Sequence, residues 1–249
     1  MENTEGIERL FFDLASESRL GILNVLRNEN LKMHEITRRL DLTATEAFRQ
    51  LERLCEASLI QKQPEGTYAV TNYGKLILHL FPSFEFAFKH KKYFLTHDVW
   101  KLPYLFVNRL AELSQGSLNN EIVEVMNKFE EMIKASEDHV WVITHQVLAA
   151  HDNAMKKKLP EGVKFRALLH ERLIKPSEIK VPSEKNVENR VLSDIPGIVL
   201  ITEKEAGICL FLLNGETGRS ALFGSDPLFL KWVNDLFIYY WDQGKRQYK

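Results

Sequence analysis

The chain has 249 residues, a formal net charge of −1, 45% hydrophobic residues and 27% charged residues. These values are typical of a folded globular protein with one large domain or two of ordinary size, and they exclude a disordered or collagen-like chain. The two cysteines, Cys55 and Cys209, are too few for a disulfide-built scaffold. The acidic start lacks the features of a signal peptide, and no apolar run approaches the roughly 20 residues that cross a bilayer. We therefore expect a cytoplasmic protein with no membrane partner.

The first sixty residues carry three short helical patterns. Ser16 is placed to cap a helix whose apolar residues recur at helical spacing, and a second pattern follows over residues 33–40. Thr43 is placed as the N-cap of a third helix, with Glu46 at the capping-box position. The buried stripe of this third helix is expected to be Ala44, Ala47, Phe48, Leu51 and Leu54.

Two short extended runs follow, residues 59–63 and 67–70, on either side of a Pro64–Gly66 turn. Extended runs around such a turn predict a β-hairpin. The order helix, helix, turn, helix, hairpin is that of a winged helix-turn-helix, a fold whose third helix lies in the major groove of DNA.

The residues themselves support this interpretation. The segment Leu40–Leu54, followed by Ala57–Ile60, resembles the recognition region of ArsR-like transcription regulators, and Tyr68–Gly74 resembles the exit from their wing. Two positions depart from the family pattern: Phe48 replaces a small polar residue, and Ser58 replaces a glycine. The resemblance implies a domain that binds a double-stranded DNA operator.

Residues 1–80 contain 10 Lys and Arg against 12 Asp and Glu, a net charge of −2, so DNA binding must come from a local arrangement of charge. Arg49 can contact guanine, Gln50 suits adenine, and Thr43 and Thr45 can reach phosphate. The wing contributes little, because the acidic Glu65 lies at its tip. The candidate DNA-binding residues are Thr43, Thr45, Glu46, Arg49, Gln50, Arg53 and Lys62.

A long helical stretch follows the wing, with Pro82 expected to kink it and aromatic residues frequent from Phe81 to Phe94. So many rings are too much apolar surface for water, which favours a homodimer helix over a ligand lid or internal packing. The stretch Tyr93–Asp98, with the step Leu102–Pro103, resembles a family of archaeal regulators known chiefly from methanogens.

Helical and extended patterns alternate in the second half, which predicts an α/β domain with a covered sheet. The segments Phe223–Pro227 and Leu236–Trp241 resemble the effector domain of the same regulators, a distant relative of the phospholipase D fold. The predicted fold class is therefore α+β. Residues 1–74 form a winged helix-turn-helix, 75–118 a helical linker and dimerisation region, and 119–249 an α/β effector-sensing domain.

No catalytic or metal-binding motif is complete. His90, Lys92 and Asp98 nearly form the phospholipase D motif, but five residues instead of four separate the lysine from the aspartate. His34–Glu35 lacks a second histidine because Arg38 stands in its place. Neither cysteine has a partner at metal-ligand spacing. We expect no enzyme activity, no metal and no cofactor.

Parallel strands ending at Thr144 and Leu169 would place polar side chains at one sheet edge, where α/β folds bind ligands. The candidates are His145, His170 and Arg172, which suit a small anionic effector. Alternatively the histidines cap backbone groups, and Arg172 pairs with Glu171 or Glu178. The expected function is sequence-specific transcription regulation with a ligand- or protein-sensing domain. The alternatives are a winged helix that docks protein without binding DNA, and a vestigial phosphodiesterase-like enzyme.

Overall fold

The chain divides by its internal contacts into two compact units, Met1–Pro82 and Ser83–Lys249. The computed structural model describes residues 6–146, 149–173 and 185–246. The division falls inside a helix, whereas the sequence predicted a boundary at residues 74 and 75. The three-part organisation with a separate linker stays a prediction.

The N-terminal unit contains the predicted elements in the predicted order, and the structure adds a first helix and a short first strand that the sequence did not predict. Its helices and strands are α1 (Ile7–Leu14), α2 (Glu17–Leu26), β1 (Leu31–Lys32), α3 (Met33–Leu40), α4 (Ala44–Glu56), β2 (Ile60–Lys62) and β3 (Thr67–Val70). The strands form an antiparallel sheet in the order β1-β3-β2. Helix α5 (Asn72–Lys89) follows the hairpin and runs through Pro82. The predicted fold class, with this N-terminal unit and a C-terminal sheet domain, is confirmed.

The predicted helix caps form, one of them only in part. Ser16 Oγ accepts from Arg19 N at 3.4 Å, and Thr43 Oγ1 accepts from Glu46 N at 3.2 Å. The Glu46 carboxylate does not close a capping box, because it accepts from Ser18 Oγ at 2.9 Å. Glu46 therefore ties α4 to α2.

The core of this unit differs from the expected one at α4. Ala47, Leu51 and Leu54 are buried as expected, but Ala44 is exposed and Phe48 is 49% exposed. Expecting burial of these two residues was wrong. At 100° per residue, Phe48 lies about 110° around the helix from the centre of the buried face. Gln50 takes a place on that face.

The departure at Ser58 has a conformational consequence. Ser58 has a φ of 57°, in the left-handed region that favours glycine. Its carbonyl accepts from Thr71 Oγ1 at 2.6 Å, which joins the turn after α4 to the start of α5. The turn therefore forms with a serine at a conformational cost.

The C-terminal unit is an eight-stranded sheet with helices on both faces. Its order is β11-β7-β6-β5-β8-β9-β10-β4, with β5–β6 and β6–β7 parallel and the other pairs antiparallel. The elements are α6 (Lys91–Phe94), α7 (Tyr104–Val107), β4 (Ser117–Asn119), α8 (Ile122–Ala135), β5 (His139–Thr144), α9 (Ala149–Lys158), β6 (Lys164–His170), β7 (Val187–Leu192), β8 (Gly197–Thr202), β9 (Ala206–Leu210), β10 (Ala221–Gly224), α10 (Pro227–Gln243) and β11 (Lys245–Arg246).

Two hydrophobic cores cover the two faces of this sheet. On β8, Ile198 and Leu200 pack into the core that includes α8, while Val199 and Ile201 pack into the core built on α10. Because β8 is buried on both faces, its sequence is a continuous apolar run without alternation. Among the described residues, no helix is long and apolar enough to span a membrane.

Candidate nucleic-acid interface and effector site

The outward face of α4 presents part of the predicted interface. Thr45, Arg49 and Arg53 are exposed on this helix, and Thr43 is exposed at its N-cap. Arg49 makes no ion pair with any described residue. The Arg53 guanidinium lies 5.7 Å from the centre of the Phe12 ring. Of the two arginines on this face, Arg49 is therefore the more available for contact with a ligand.

The Gln50 side chain lies on the buried face of α4. It is 7% exposed, and its Oε1 accepts from Arg19 Nη1 at 2.9 Å. The same guanidinium donates to the carbonyl oxygens of Phe12 and Asp13 at 2.8 and 2.5 Å. Burial lowers the pKa of Arg19, nearby Arg53 lowers it further, and Asp13 opposes the shift. Gln50 therefore links the end of α1 to α4, and contact with adenine would require breaking this link.

The hairpin of β2 and β3 carries one of the predicted residues, Lys62. The Lys62 ammonium lies 5.9 Å from the centre of the Tyr68 ring, and its side chain is exposed on β2. The Glu65 carboxylate at the tip accepts from Thr67 Oγ1 at 3.0 Å. The tip thus keeps an acidic group, which agrees with a small contribution to phosphate binding.

The site prediction left out Phe48, which shares the outward face with Thr45 and Arg49. It is not among the residues that pack against the core of the N-terminal unit. The sequence signal for Phe48 is its departure from the ArsR-like pattern, although its apolar character and helical spacing favour the buried stripe.

The predicted sheet edge is formed as expected. Strands β5 and β6 are parallel, and Thr144 pairs in register with Leu169. His145 follows β5, and His170 is the last residue of β6. The two histidines therefore lie near the same edge of the sheet.

His145 is held in place by a loop that the sequence did not indicate. Its Nε2 lies 2.6 Å from Thr217 Oγ1, and its ring contacts Phe211 at a centroid distance of 4.9 Å. Its Nδ1 is buried and has no hydrogen-bond partner among the described residues. Burial lowers the pKa of His145, and His170 lowers it further.

The structure supports the alternative role of His170, in which the histidine caps a backbone group. Its Nδ1 accepts from Arg172 N at 3.1 Å, so this histidine caps a backbone group. The Arg172 side chain is exposed and forms no ion pair with Glu171. Glu178, the other expected partner, lies outside the described residues.

The three residues of the incomplete phospholipase D motif have other contacts. His90 is buried against the Phe86 ring at a centroid distance of 4.7 Å. Asp98 Oδ1 accepts from Trp100 N at 3.1 Å and caps a short helical turn. Lys92 is exposed. Over the part of the chain that the structure describes, no cluster of three His, Cys, Asp or Glu residues is arranged to hold a metal ion.

Two family models match the chain. Residues 7–91 match the HVO_A0261 N-terminal domain, and residues 122–243 match the middle domain of the methanogenesis regulatory protein FilR1. These matches support the resemblance to a family of archaeal regulators. They do not confirm that the N-terminal unit is ArsR-like. No curated protein matches the chain.

Solved structures resemble the chain at low identity. The archaeal chromatin protein TrmBL2 is 15% identical, with 96% of each chain covered and a TM-score of 0.45. NucT from Helicobacter pylori is 14% identical over 53% of this chain and 98% of its own, with a TM-score of 0.43. The phospholipase D family member Nuc from Salmonella typhimurium is 14% identical over 54% of this chain and 99% of its own, with a TM-score of 0.41.

Proposed function

We propose that the chain is a cytoplasmic, non-enzymatic transcription regulator. Its ArsR-like winged helix-turn-helix binds a double-stranded DNA operator, and its C-terminal unit senses an effector. The matched domain of a methanogenesis regulatory protein supports the regulatory role. The observation that carries DNA binding is the outward face of α4, where Arg49 is exposed and has no ion-pair partner among the described residues.

In this proposal α4 is the recognition helix. The N-terminal residues of such a helix contact base edges in the major groove. Arg49 binds guanine O6 and N7, while Thr43 and Thr45 contact phosphate. Arg53 and Lys62 add positive charge at the edges of the interface. Glu46 acts indirectly, because its bond to Ser18 fixes the first turn of α4.

The regulator acts as a homodimer through α5. Four large apolar side chains, spaced four residues apart, are between 51% and 82% exposed: Leu76, Leu80, Phe84 and Phe88. Leu76 and Leu80 belong to the N-terminal unit, and Phe84 and Phe88 belong to the C-terminal unit. In each unit the exposed pair leaves roughly 200–300 Å² of apolar surface in water. A twofold axis brings the same α5 surface of two copies together and covers these side chains.

The effector site lies at the sheet edge of His145, His170 and Arg172. An exposed arginine beside two histidines suits a carboxylate or another small anion. The effector changes DNA affinity only by binding one arrangement of the dimer better than the other. A thermal-shift panel of anionic metabolites, repeated on the double variant His170→Ala with Arg172→Ala, tests the site.

The test of the main proposal starts with the full-length chain and a pool of random duplexes. We expect enrichment of a defined operator, and Arg49→Ala is expected to weaken its binding by about 1–3 kcal/mol. The control is Arg219→Ala, an exposed arginine of the C-terminal unit. Failure to enrich any sequence, or equal operator affinity of Arg49→Ala and the parent, contradicts the proposal. A phosphodiester turnover assay on the same preparation is expected to show no activity.

A further inference from the structure

Phe48 occupies an unusual place for a large aromatic residue. It is the fifth residue of α4, and 49% of its surface is exposed. Of its four neighbours one helical turn away, Ala44, Thr45 and Glu52 are exposed and Leu51 is buried. The ring has no position in the core of the N-terminal unit. Packing within the described chain therefore does not account for the exposed half of the ring.

The surface around the ring is a small apolar strip. The methyl groups of Ala44 and Thr45 continue the ring toward the N-terminus of α4, at the end of a recognition helix that enters the major groove. Arg49 follows Phe48 directly, so both side chains project from the same turn. A base contact by Arg49 thus brings the Phe48 ring to within one or two base pairs of it.

The major groove offers one prominent apolar feature. Among the four base pairs, the C5-methyl group of thymine is the contact that apolar side chains such as Phe make there. A polar residue at this position would read donors and acceptors or contact phosphate, whereas a phenyl ring can do neither.

We propose that Phe48 is a specificity-determining residue that contacts the methyl group of a thymine, next to the base pair bound by Arg49. This proposal rests on the DNA-binding function proposed above and adds one feature of the operator. Each half-site contains a thymine at a fixed distance from the Arg49-bound guanine.

The experiment removes the methyl group from the DNA. In the selected operator, each thymine in turn is replaced by deoxyuridine, which keeps base pairing and removes only the methyl. Burying one methyl corresponds to about a fourfold change in affinity. We therefore expect the full-length parent to bind about fourfold more weakly at one thymine per half-site and unchanged at the others.

Four variants assign that effect to the ring. Phe48→Ala is expected to bind the thymine and deoxyuridine operators equally, and Phe48→Leu to keep part of the difference. Arg49→Ala is expected to bind both weakly and keep their ratio. Tyr104→Ala removes an exposed ring from the C-terminal unit and is expected to behave as the parent does. Because Phe48 is not in the core, its variants are expected to fold, which circular dichroism checks.

The outcomes separate the two proposals. If no operator is selected, DNA binding itself fails. If an operator is selected but the parent ignores every deoxyuridine substitution, the thymine contact is refuted while DNA binding stands. The contact is also refuted if Phe48→Ala keeps the fourfold difference. In that case the exposed ring serves a different surface, such as a protein partner.

Discussion

Replacing Gln50 with alanine distinguishes an internal role for this residue from a base-reading role. The Gln50 amide oxygen is the side-chain acceptor for Arg19, whose guanidinium also holds two carbonyl groups at the end of α1. Removing it leaves a buried, charged N–H donor without that partner. A hydrogen bond to a charged group contributes about 1.5–3 kcal/mol, so we expect the free energy of unfolding of the N-terminal unit to fall by about 2 kcal/mol.

Urea denaturation followed by circular dichroism measures this loss, and operator titration well below the unfolding midpoint measures DNA affinity. If Gln50 is internal, stability falls and the affinity of the folded protein is unchanged. Thr45→Ala, an exposed change on the same helix, serves as the control for stability. A Gln50→Ala variant as stable as the parent, with operator affinity reduced by about 1–3 kcal/mol, would refute this reasoning and restore the base contact.

Three further predictions concern stability and assembly. Burial lowers the pKa of His90, His97 and His145. The unfolded chain therefore binds more protons than the folded chain, so the free energy of unfolding is highest above about pH 6.5 and falls as the pH drops through the pKa values of the folded state. The loss is at most about 1.4 kcal/mol per pH unit for each histidine. Denaturation between about pH 8 and pH 5 measures this dependence, and His97→Gln is expected to reduce its slope. Stability that rises on acidification contradicts the prediction. Ser58→Gly is expected to raise the unfolding free energy by about 0.5–1 kcal/mol and Ser58→Val to lower it by about 1 kcal/mol or more, because of the left-handed φ; a stabler valine variant argues against that strain. Phe84→Glu is expected to convert a dimer to a 29.0 kDa monomer in light scattering, whereas Val123→Glu, a change of an exposed apolar residue on α8, leaves it dimeric; a monomeric parent at micromolar concentration refutes the α5 interface.

The sequence predicted the N-terminal unit because its signals are local. The Thr43 cap, the Pro64–Gly66 turn and the apolar spacing each act over a few residues, and each formed in the structure. It predicted the parallel pair β5–β6 but not that most neighbouring strands are antiparallel. Strand order depends on contacts between distant segments, such as β4 with β10. Periodicity in a single strand carries no information about them.

The loop 211–218 shows the same limit at the candidate effector site. Thr217 contacts His145, while a Cβ at the adjacent Gly218 would lie 2.6 Å from His97 Nε2. The His97 ring stacks on Tyr93 at a centroid distance of 3.9 Å. Within the C-terminal unit, one loop therefore contacts both the sheet edge and the segment that follows α5. No motif marks this loop, because its role arises from packing between residues more than seventy positions apart.

Two errors on α4 have a single cause, the rotational phase of the helix. A stripe that includes Ala44 and Phe48 is apolar and has helical spacing, so composition alone favours it. The buried face instead includes Gln50, because Arg19 donates a hydrogen bond to its buried amide oxygen. This partner is present only in the folded chain. The more apolar stripe places Phe48 in the core and Gln50 on the surface, so both positions are predicted wrongly for the same reason. The same rotation that takes Gln50 off the outward face of α4 brings Phe48 onto it, so the variants Gln50→Ala and Phe48→Ala test one assignment from opposite sides of the helix.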